Sequence, residues 1–194
     1  MKRFVKSAGI AAMTLLPVLA NAQAANAKPF SLGVSGGASF PVGDFGTGLK
    51  TGYSLAGHVY VLPPSMQAIA LRGDVSYDRW GFEGVTGSSS LVDGNVHTLG
   101  VTGNVMLKVA SSVGVFHPYL IAGGGGYNTK VSAAGLTSGG STNFGIQGGA
   151  GFEFGLSGFA TFLEAKYVDV FGKKNTDGSR NKQQYIPLTF GVRF

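Results

Sequence analysis

The chain has no cysteine, and only 12% of its 194 residues are charged. Without cysteine there is no disulfide framework, so the chain depends on backbone hydrogen bonds and on burial for its stability. Its 33 glycines would suit a disordered chain. The scarcity of charge and a mean hydropathy of +0.20 argue against disorder, which requires low hydrophobicity. The composition therefore indicates a folded chain that disperses its apolar residues.

Long apolar runs are also lacking, apart from one near the N-terminus. Three basic residues within the first six precede an apolar stretch over 8–20, and small residues follow it. This order predicts a secretory signal peptide over residues 1–24, cleaved after Ala24 or, as the alternative, after Ala22. The apolar stretch has about 13 residues and a membrane-spanning helix needs about 20, so a membrane anchor is not expected.

Strong basicity is absent once this segment is removed. The formal net charge is +6, and three of the positive charges lie in the signal peptide, at Lys2, Arg3 and Lys6. A nucleic-acid partner is therefore not expected. Residues 25–194 are of a length that predicts a single domain.

Beyond the signal peptide, apolar residues alternate with polar or small residues in eight segments. The segments run over 30–40, 53–61, 69–78, 99–107, 119–127, 144–154, 159–167 and 186–194. Successive side chains of a β-strand point to opposite faces, so each segment has one apolar face. An even number of such segments, each of about ten residues, predicts an all-β fold, an eight-stranded antiparallel transmembrane β-barrel.

The connections between the segments alternate in length. Short ones fall at 63–67, 110–114 and 155–158, and long polar ones at 41–50, 80–95, 128–142 and 172–184. Short periplasmic turns and long outer loops are typical of outer-membrane barrels. An unpaired strand edge is costly in hydrocarbon, so the first strand is expected to pair with the eighth.

Aromatic residues gather at the segment ends, where they predict girdles at the two membrane interfaces. The residues concerned are Phe30, Phe40, Tyr53, Tyr77, Tyr127, Phe144, Phe154, Phe159, Tyr167 and Phe194. Trp80 and Phe82 are interpreted as further interfacial anchors. The alternative is a soluble, lipocalin-like barrel, in which the apolar face would point inward and the charged face outward.

The chain resembles the small outer-membrane β-barrel superfamily that includes OmpA-like and opacity-type surface proteins. The likeness rests on LRGDVSY over 71–77, HPYLIAGGG over 117–125, FLEAKY over 162–167 and LTFGVRF over 188–194. It covers essentially the whole mature chain. It implies an outer-membrane location and a structural or surface-contact role, and no cofactor is expected.

The same resemblance implies an assembly signal in the last strand, read by the outer-membrane insertion machinery. Its residues would be Phe190, Val192 and Phe194. The chain departs from the family pattern at Thr189, where a glycine often stands. The expected partners are the insertion machinery, outer-membrane lipid and lipopolysaccharide; an extracellular ligand is not identified, and we expect a monomer.

Charged residues on the polar faces predict a network inside the barrel. Its predicted members are His58, Arg72, Asp74, Glu153, Glu164, Lys166 and Arg193. A turn that pairs Leu62 with Ala68 would set His58 opposite Arg72 and Ala56 opposite Asp74. An eight-stranded barrel has room only for side chains, so we expect these charges to close the lumen. The alternative is a narrow pore that passes small or hydrophobic solutes.

The basic segment 173–182 is a candidate contact for lipopolysaccharide phosphates, since Lys and Arg bind phosphate. The contact residues would be Lys173, Lys174, Arg180 and Lys182. A plain solvated loop is the alternative.

An enzymatic role is not expected, because nucleophile, base and orienting group must lie within hydrogen-bond reach. No histidine stands beside a serine in the sequence, and the serine run 88–90 has no nearby base. Three dispersed histidines without cysteine predict no metal site. A lipid-modifying outer-membrane enzyme remains the least favoured alternative.

Overall fold

The structure, a computed structural model, is built from β-strands and one short 3-10 helix. It describes residues 30–63, 68–82, 94–109, 116–133, 136–137, 139–156, 159–174 and 180–194. The strands are β1 (Phe30–Val42), β2 (Gly52–Val61), β3 (Ile69–Gly81), β4 (Gly94–Lys108), β5 (Phe116–Ala133), β6 (Leu136–Thr137), β7 (Ser141–Leu156), β8 (Phe159–Lys174) and β9 (Arg180–Arg193). The 3-10 helix spans Gly43–Gly46. None of the described residues forms a helix long and apolar enough to cross a membrane.

Eight long strands close into one antiparallel barrel, which confirms the predicted fold. Each pairs with its neighbours along the chain, while the two-residue strand β6 forms a short antiparallel pairing with the end of β5. Closure is made by β1 and β9, whose ladder runs from Gly33 opposite Arg193 to Val42 opposite Gln184. Every long strand therefore has partners on both sides, which leaves no open edge to face hydrocarbon.

The outer wall of the barrel is apolar and the inner wall is polar. Along β4, Leu99, Val101 and Val105 are about half exposed, at 48%, 58% and 50%, while the alternate residues Thr102 and Asn104 are buried. The other strands follow the same pattern. Because Arg72, Asp74 and Glu164 are enclosed while the apolar side chains are exposed, the soluble, lipocalin-like alternative is wrong, and the apolar wall is the one that faces lipid.

Three aromatic residues predicted for the membrane interface pack inside the barrel instead: Tyr127, Trp80 and Phe82, which is partly buried against the cluster of the other two. Tyr127 and Trp80 are both 0% exposed. In β5 the large outward side chains include Phe116 and Leu120, whereas Tyr119 and Tyr127 face the lumen. The glycine run 123–126 separates these tyrosines and carries no side chain that would reveal which face is inner. For that reason the alternation of β5 is ambiguous in the sequence.

The predicted pairing between β2 and β3 is displaced in the structure. His58 lies opposite Asp74, and Ala56 lies opposite Ser76, instead of opposite Arg72 and Asp74 respectively. The ladder begins with Val61 opposite Leu71, so the turn is centred one residue later than a turn that pairs Leu62 with Ala68. Moving the centre of a hairpin by one residue moves every cross-strand partner by two, which keeps each side chain on its predicted face.

The strands on the outer side of the barrel are longer than the sequence predicts. β5 continues to Ala133, β8 to Lys174, and β9 begins at Arg180, all within segments expected to be loops. These extensions are polar, so apolar alternation does not reveal them. The predicted signal peptide, 1–24, lies outside the described residues.

Candidate functional site

The barrel lumen is filled in three layers of side chains. At the end where β1 begins and β9 ends lies the lower cluster, made of Tyr60, Ala70, Met106, Tyr119, Ile121 and Phe162. At the opposite end lies the outer cluster, made of Trp80, Val96, Tyr127, Val168, Val170 and Tyr185. Between them lies the central network of polar side chains, made of Ser35, His58, Arg72, Asp74, Thr102, Asn104, Gln147, Glu164 and Lys166. The candidate site is this central network.

An ion pair spans the lumen from β3 to β8. Arg72 Nη1 donates to Glu164 Oε2 and Arg72 Nη2 donates to Oε1, both at 2.7 Å. The hydroxyl of Tyr119 donates to Oε2 at 2.8 Å. Arg72 and Glu164 are each 1% exposed. A bidentate Arg–carboxylate pair is among the strongest and most directional contacts available to side chains, so it holds the two walls together.

Asp74 collects donors from four other members of the network. Arg72 Nη2 donates to its Oδ2 at 2.9 Å, and Asn104 Nδ2 donates to the same oxygen at 3.1 Å. Lys166 Nζ lies 3.4 Å from it, and His58 Nδ1 lies 2.9 Å from Oδ1. Two cations thus face the carboxylates of Asp74 and Glu164, which is the pairing that a buried charge needs.

The structure brings a serine, a histidine and an aspartate into one hydrogen-bonded row. Ser35 Oγ lies 2.8 Å from His58 Nε2, and His58 Nδ1 lies 2.9 Å from Asp74 Oδ1. The sequence-based expectation that no serine and histidine come together is therefore wrong. Ser35 reaches His58 from the neighbouring strand β1, where Gly33 is the register partner of His58, so the contact is invisible in the linear sequence.

Two features of this row differ from those of a working nucleophilic site. Arg72 Nε lies 2.8 Å from Asp74 Oδ1, the oxygen that His58 also contacts, which weakens the support that the carboxylate offers to an imidazolium. Ser35 also borders a cavity of about 10 Å³ that Asp78 and Lys166 line. A cavity of this size holds about one water molecule, so it has no room for an acyl substrate.

The outer cluster closes the lumen above the central network. Trp80 packs edge-on against Tyr185, with ring centroids 4.8 Å apart, and against Phe45 of the 3-10 helix at 5.3 Å. Its indole nitrogen donates to the backbone oxygen of Ser39 at 3.2 Å. The interpretation of Trp80 as an interfacial anchor is therefore wrong, because the ring is a plug inside the barrel. Through Phe45, the 3-10 helix packs against this cluster.

The other predicted network members lie lower in the barrel. Glu153 and Arg193 form an ion pair of 2.5 Å, with side chains 16% and 17% exposed. The Arg193 guanidinium also lies 5.3 Å from the centre of the Tyr60 ring. This pair is thus separate from the central network and closer to solvent.

The residues predicted for assembly lie at the C-terminal end of the chain, and those predicted for lipopolysaccharide contact lie on β8 and β9. Phe190 and Phe194 of the C-terminal segment are exposed, at 56% and 57%, and Val192 is partly buried. Lys173 and Lys174 belong to β8, and Arg180 and Lys182 belong to β9, so they do not form the expected loop. Of these four, only the side chain of Lys182 is among those described, and it is exposed.

Sequence reasoning missed Ser35 and three further polar members of the central network, Thr102, Asn104 and Gln147. Asn104 contacts Asp74, while Gln147 Nε2 donates to Asn104 Oδ1 at 2.6 Å and to Thr102 Oγ1 at 3.0 Å. All three lie on the predicted polar faces, which is a usable signal. Their importance depends on closure of the barrel, because their partners stand on other strands. The described residues contain no group of His, Cys, Asp or Glu that could hold a metal ion.

Solved structures with similar folds are outer-membrane barrels. Neisserial surface protein A superposes with a TM-score of 0.61 at 18% sequence identity, covering 87% of this chain and 98% of that chain. A major outer membrane protein from Thermus thermophilus gives a TM-score of 0.54 at 13% identity, covering 86% and 99%. The attachment invasion locus protein Ail of Yersinia pestis gives a TM-score of 0.48 at 20% identity, covering 85% and 97%.

The chain folds as a small outer-membrane β-barrel. The expected resemblance is confirmed at the level of the fold, and the predicted outer-membrane location agrees with both the fold and the apolar outer wall. No protein-family model and no curated protein matches the chain.

Proposed function

We propose that the chain is a sealed outer-membrane barrel with a structural or surface-contact role, and that it conducts no solute. The observation that carries this proposal is the bidentate pair between Arg72 and Glu164, which crosses the lumen at 2.7 Å. A pore would need a continuous file of water at this level. The guanidinium and the carboxylate occupy that space instead.

The layers above and below support the same conclusion. Tyr127 and Trp80 are completely buried in the outer cluster, and Met106 and Phe162 are 1% and 2% exposed in the lower cluster. A solute would have to displace aromatic side chains at one end and a charge network in the middle. Separating the pair inside the barrel would leave two buried charges without their partners, which is unfavourable, so spontaneous opening is rare.

Planar-bilayer recording tests the proposal. We expect negligible steady conductance from the refolded protein, and no swelling of liposomes in small sugars. The double variant Arg72→Ala/Glu164→Ala removes the crossing pair and is expected to raise conductance if it still folds. Reproducible single-channel steps from the unmodified protein, lost in Arg72→Ala or Glu164→Ala, would show that the barrel is a narrow pore.

The Ser35–His58–Asp74 row supports a second candidate, a serine nucleophile. Its geometry matches the nucleophile, base and orienting group of acyl-transfer enzymes. The contact of Arg72 with Asp74 and the water-sized cavity both make it the weaker candidate. We therefore interpret the row as part of the central network, in which His58 links β1 to β3.

A fluorophosphonate probe separates the two roles of Ser35. In hydrolases the serine oxygen attacks phosphorus, fluoride leaves, and the histidine takes the proton. We expect no labelling of the folded barrel. Labelling that disappears in Ser35→Ala and in His58→Gln, but persists in the matched control Ser54→Ala, would establish an activated nucleophile. Mass analysis of lipid A from cells that express the protein would then identify the reaction.

A further inference from the structure

Three basic side chains form a row on the outer wall of the barrel. Arg79 of β3 lies directly opposite His97 of β4, and His97 lies directly opposite Lys130 of β5. Arg79 and Lys130 are exposed and His97 is partly exposed. Side chains alternate along a strand, and the residues on either side of Arg79, Asp78 and Trp80, are buried inside. The row therefore points away from the lumen.

No carboxylate neutralises this row within the described residues. Arg79, His97 and Lys130 take part in none of the ion pairs found there. The outward positions of β2, β3, β4 and β5 carry neither Asp nor Glu. Arg79 and Lys130, the two cations of the row, lie on either side of His97. An anion placed between them would be attracted by both.

The row begins where the apolar wall ends. The rings of Tyr53 and Tyr77 lie 6.2 Å apart, and Tyr77 lies 6.1 Å from the His97 ring. On the side of the chain termini, the outward residues Val75 and Val101 are 53% and 58% exposed. Tyrosines with an apolar band on one side mark the boundary of the hydrocarbon. The basic row is thus at the level of the lipid headgroups, on the side remote from the termini.

We propose that Arg79, His97 and Lys130 bind the phosphate groups of lipopolysaccharide in the outer leaflet. Neighbouring strands are about 4.8 Å apart, so the three side chains span about 10 Å, enough to hold a phosphate between each pair. Arg79 supplies a planar fork of donors and Lys130 a mobile point charge. This site is distinct from residues 173–182 and does not depend on whether the lumen conducts.

Binding of labelled lipopolysaccharide to the protein in phospholipid nanodiscs tests the site. The double variant Arg79→Gln/Lys130→Gln is expected to bind about tenfold more weakly, since two charge-assisted contacts are lost. Lys108→Gln is the matched control, because Lys108 ends β4 on the opposite side of the membrane. It is expected to bind as the unmodified protein does. Lys182→Gln reports on the alternative site.

Two further binding experiments distinguish a lipid headgroup from free phosphate as the ligand. Dephosphorylated lipopolysaccharide is expected to bind the unmodified protein and the double variant equally weakly, and millimolar inorganic phosphate is expected not to compete. Unchanged affinity in a double variant that still shows the folded mobility on an unboiled gel would overturn the proposal. So would a loss confined to Lys182→Gln, or full competition by inorganic phosphate.

Discussion

Arg72 and Glu164 are 92 residues apart in the sequence, yet they share two hydrogen bonds of 2.7 Å in the middle of the lumen. The two residues stand on β3 and β8, which do not pair with each other. The contact therefore exists only when the barrel is closed. It makes the stability of the fold and the sealing of the lumen depend on the same side chains.

Removing one member of this pair is expected to destabilise the barrel strongly. Glu164→Leu should lower the free energy of unfolding by about 3–5 kcal/mol, because the buried Arg72 guanidinium loses its bidentate partner and keeps only Asp74. Urea unfolding in lipid vesicles, followed by tryptophan fluorescence, measures the change. The double variant Arg72→Met/Glu164→Leu should lose less than the two single variants added together.

The ion pair between Glu153 and Arg193 is the matched comparison for Glu164. Its side chains are 16% and 17% exposed, so solvent screens it more. Glu153→Gln should cost about 1 kcal/mol or less. Equal losses of unfolding free energy in Glu153→Gln and Glu164→Leu would contradict the inference that the buried pair of Arg72 and Glu164 contributes more to stability.

Two adjacent glycines of β5 should respond differently to a methyl group. A Cβ atom at Gly125 would lie 2.1 Å from the backbone oxygen of Val101, whereas one at Gly126 would meet nothing within 4 Å. Gly125→Ala should therefore cost about 1–3 kcal/mol through overpacking. Gly126→Ala should be neutral or slightly stabilising, since alanine restricts the unfolded chain. Comparison of the two unfolding midpoints is the measurement.

A charge on the middle of the outer wall should cost more than one at its outer end. Val101 lies at the centre of β4 and is 58% exposed. Val101→Arg should lower stability by about 2–4 kcal/mol, while Asn128→Arg, near the outer end of β5, should cost about 0–1 kcal/mol. Refolding yields into vesicles and urea midpoints report both values. Equal tolerance at the two positions would mean that this wall does not face lipid.

The single tryptophan reports on the outer cluster. Trp80 is 0% exposed and lies inside the wall, so brominated lipids should quench its fluorescence weakly. The control variant, Trp80→Phe/Val101→Trp, moves the tryptophan to the lipid face and should be quenched strongly. Strong quenching of the unmodified protein would mean that Trp80 lies at the membrane interface, as its place in the sequence suggests.

Alternation of side chains predicted the eight long strands and, except in β5, divided each into an apolar and a polar face. The closed topology followed from the cost of an unpaired strand edge in hydrocarbon. His58, Arg72, Glu164 and Lys166 were expected inside and lie inside. The prediction of these inward positions succeeded because a two-residue period is local and is unchanged by a register error of two residues. The pairing of His58 was misplaced because the position of a turn is not set by alternation.

Tertiary structure alone decided which inward residues meet. The contact between Ser35 and His58 depends on the register of β1 against β2. The contact between Arg72 and Glu164 depends on closure of the whole barrel. The inward orientation of the Tyr127 side chain could not be predicted from the sequence, because the glycines before it carry no side chain to mark the inner face. The sequence by itself therefore determined a transmembrane barrel with a polar interior, since that follows from a local pattern. Which charges seal it, and which basic residues align on its outer wall, follow from strand register, which is a property of the assembled sheet.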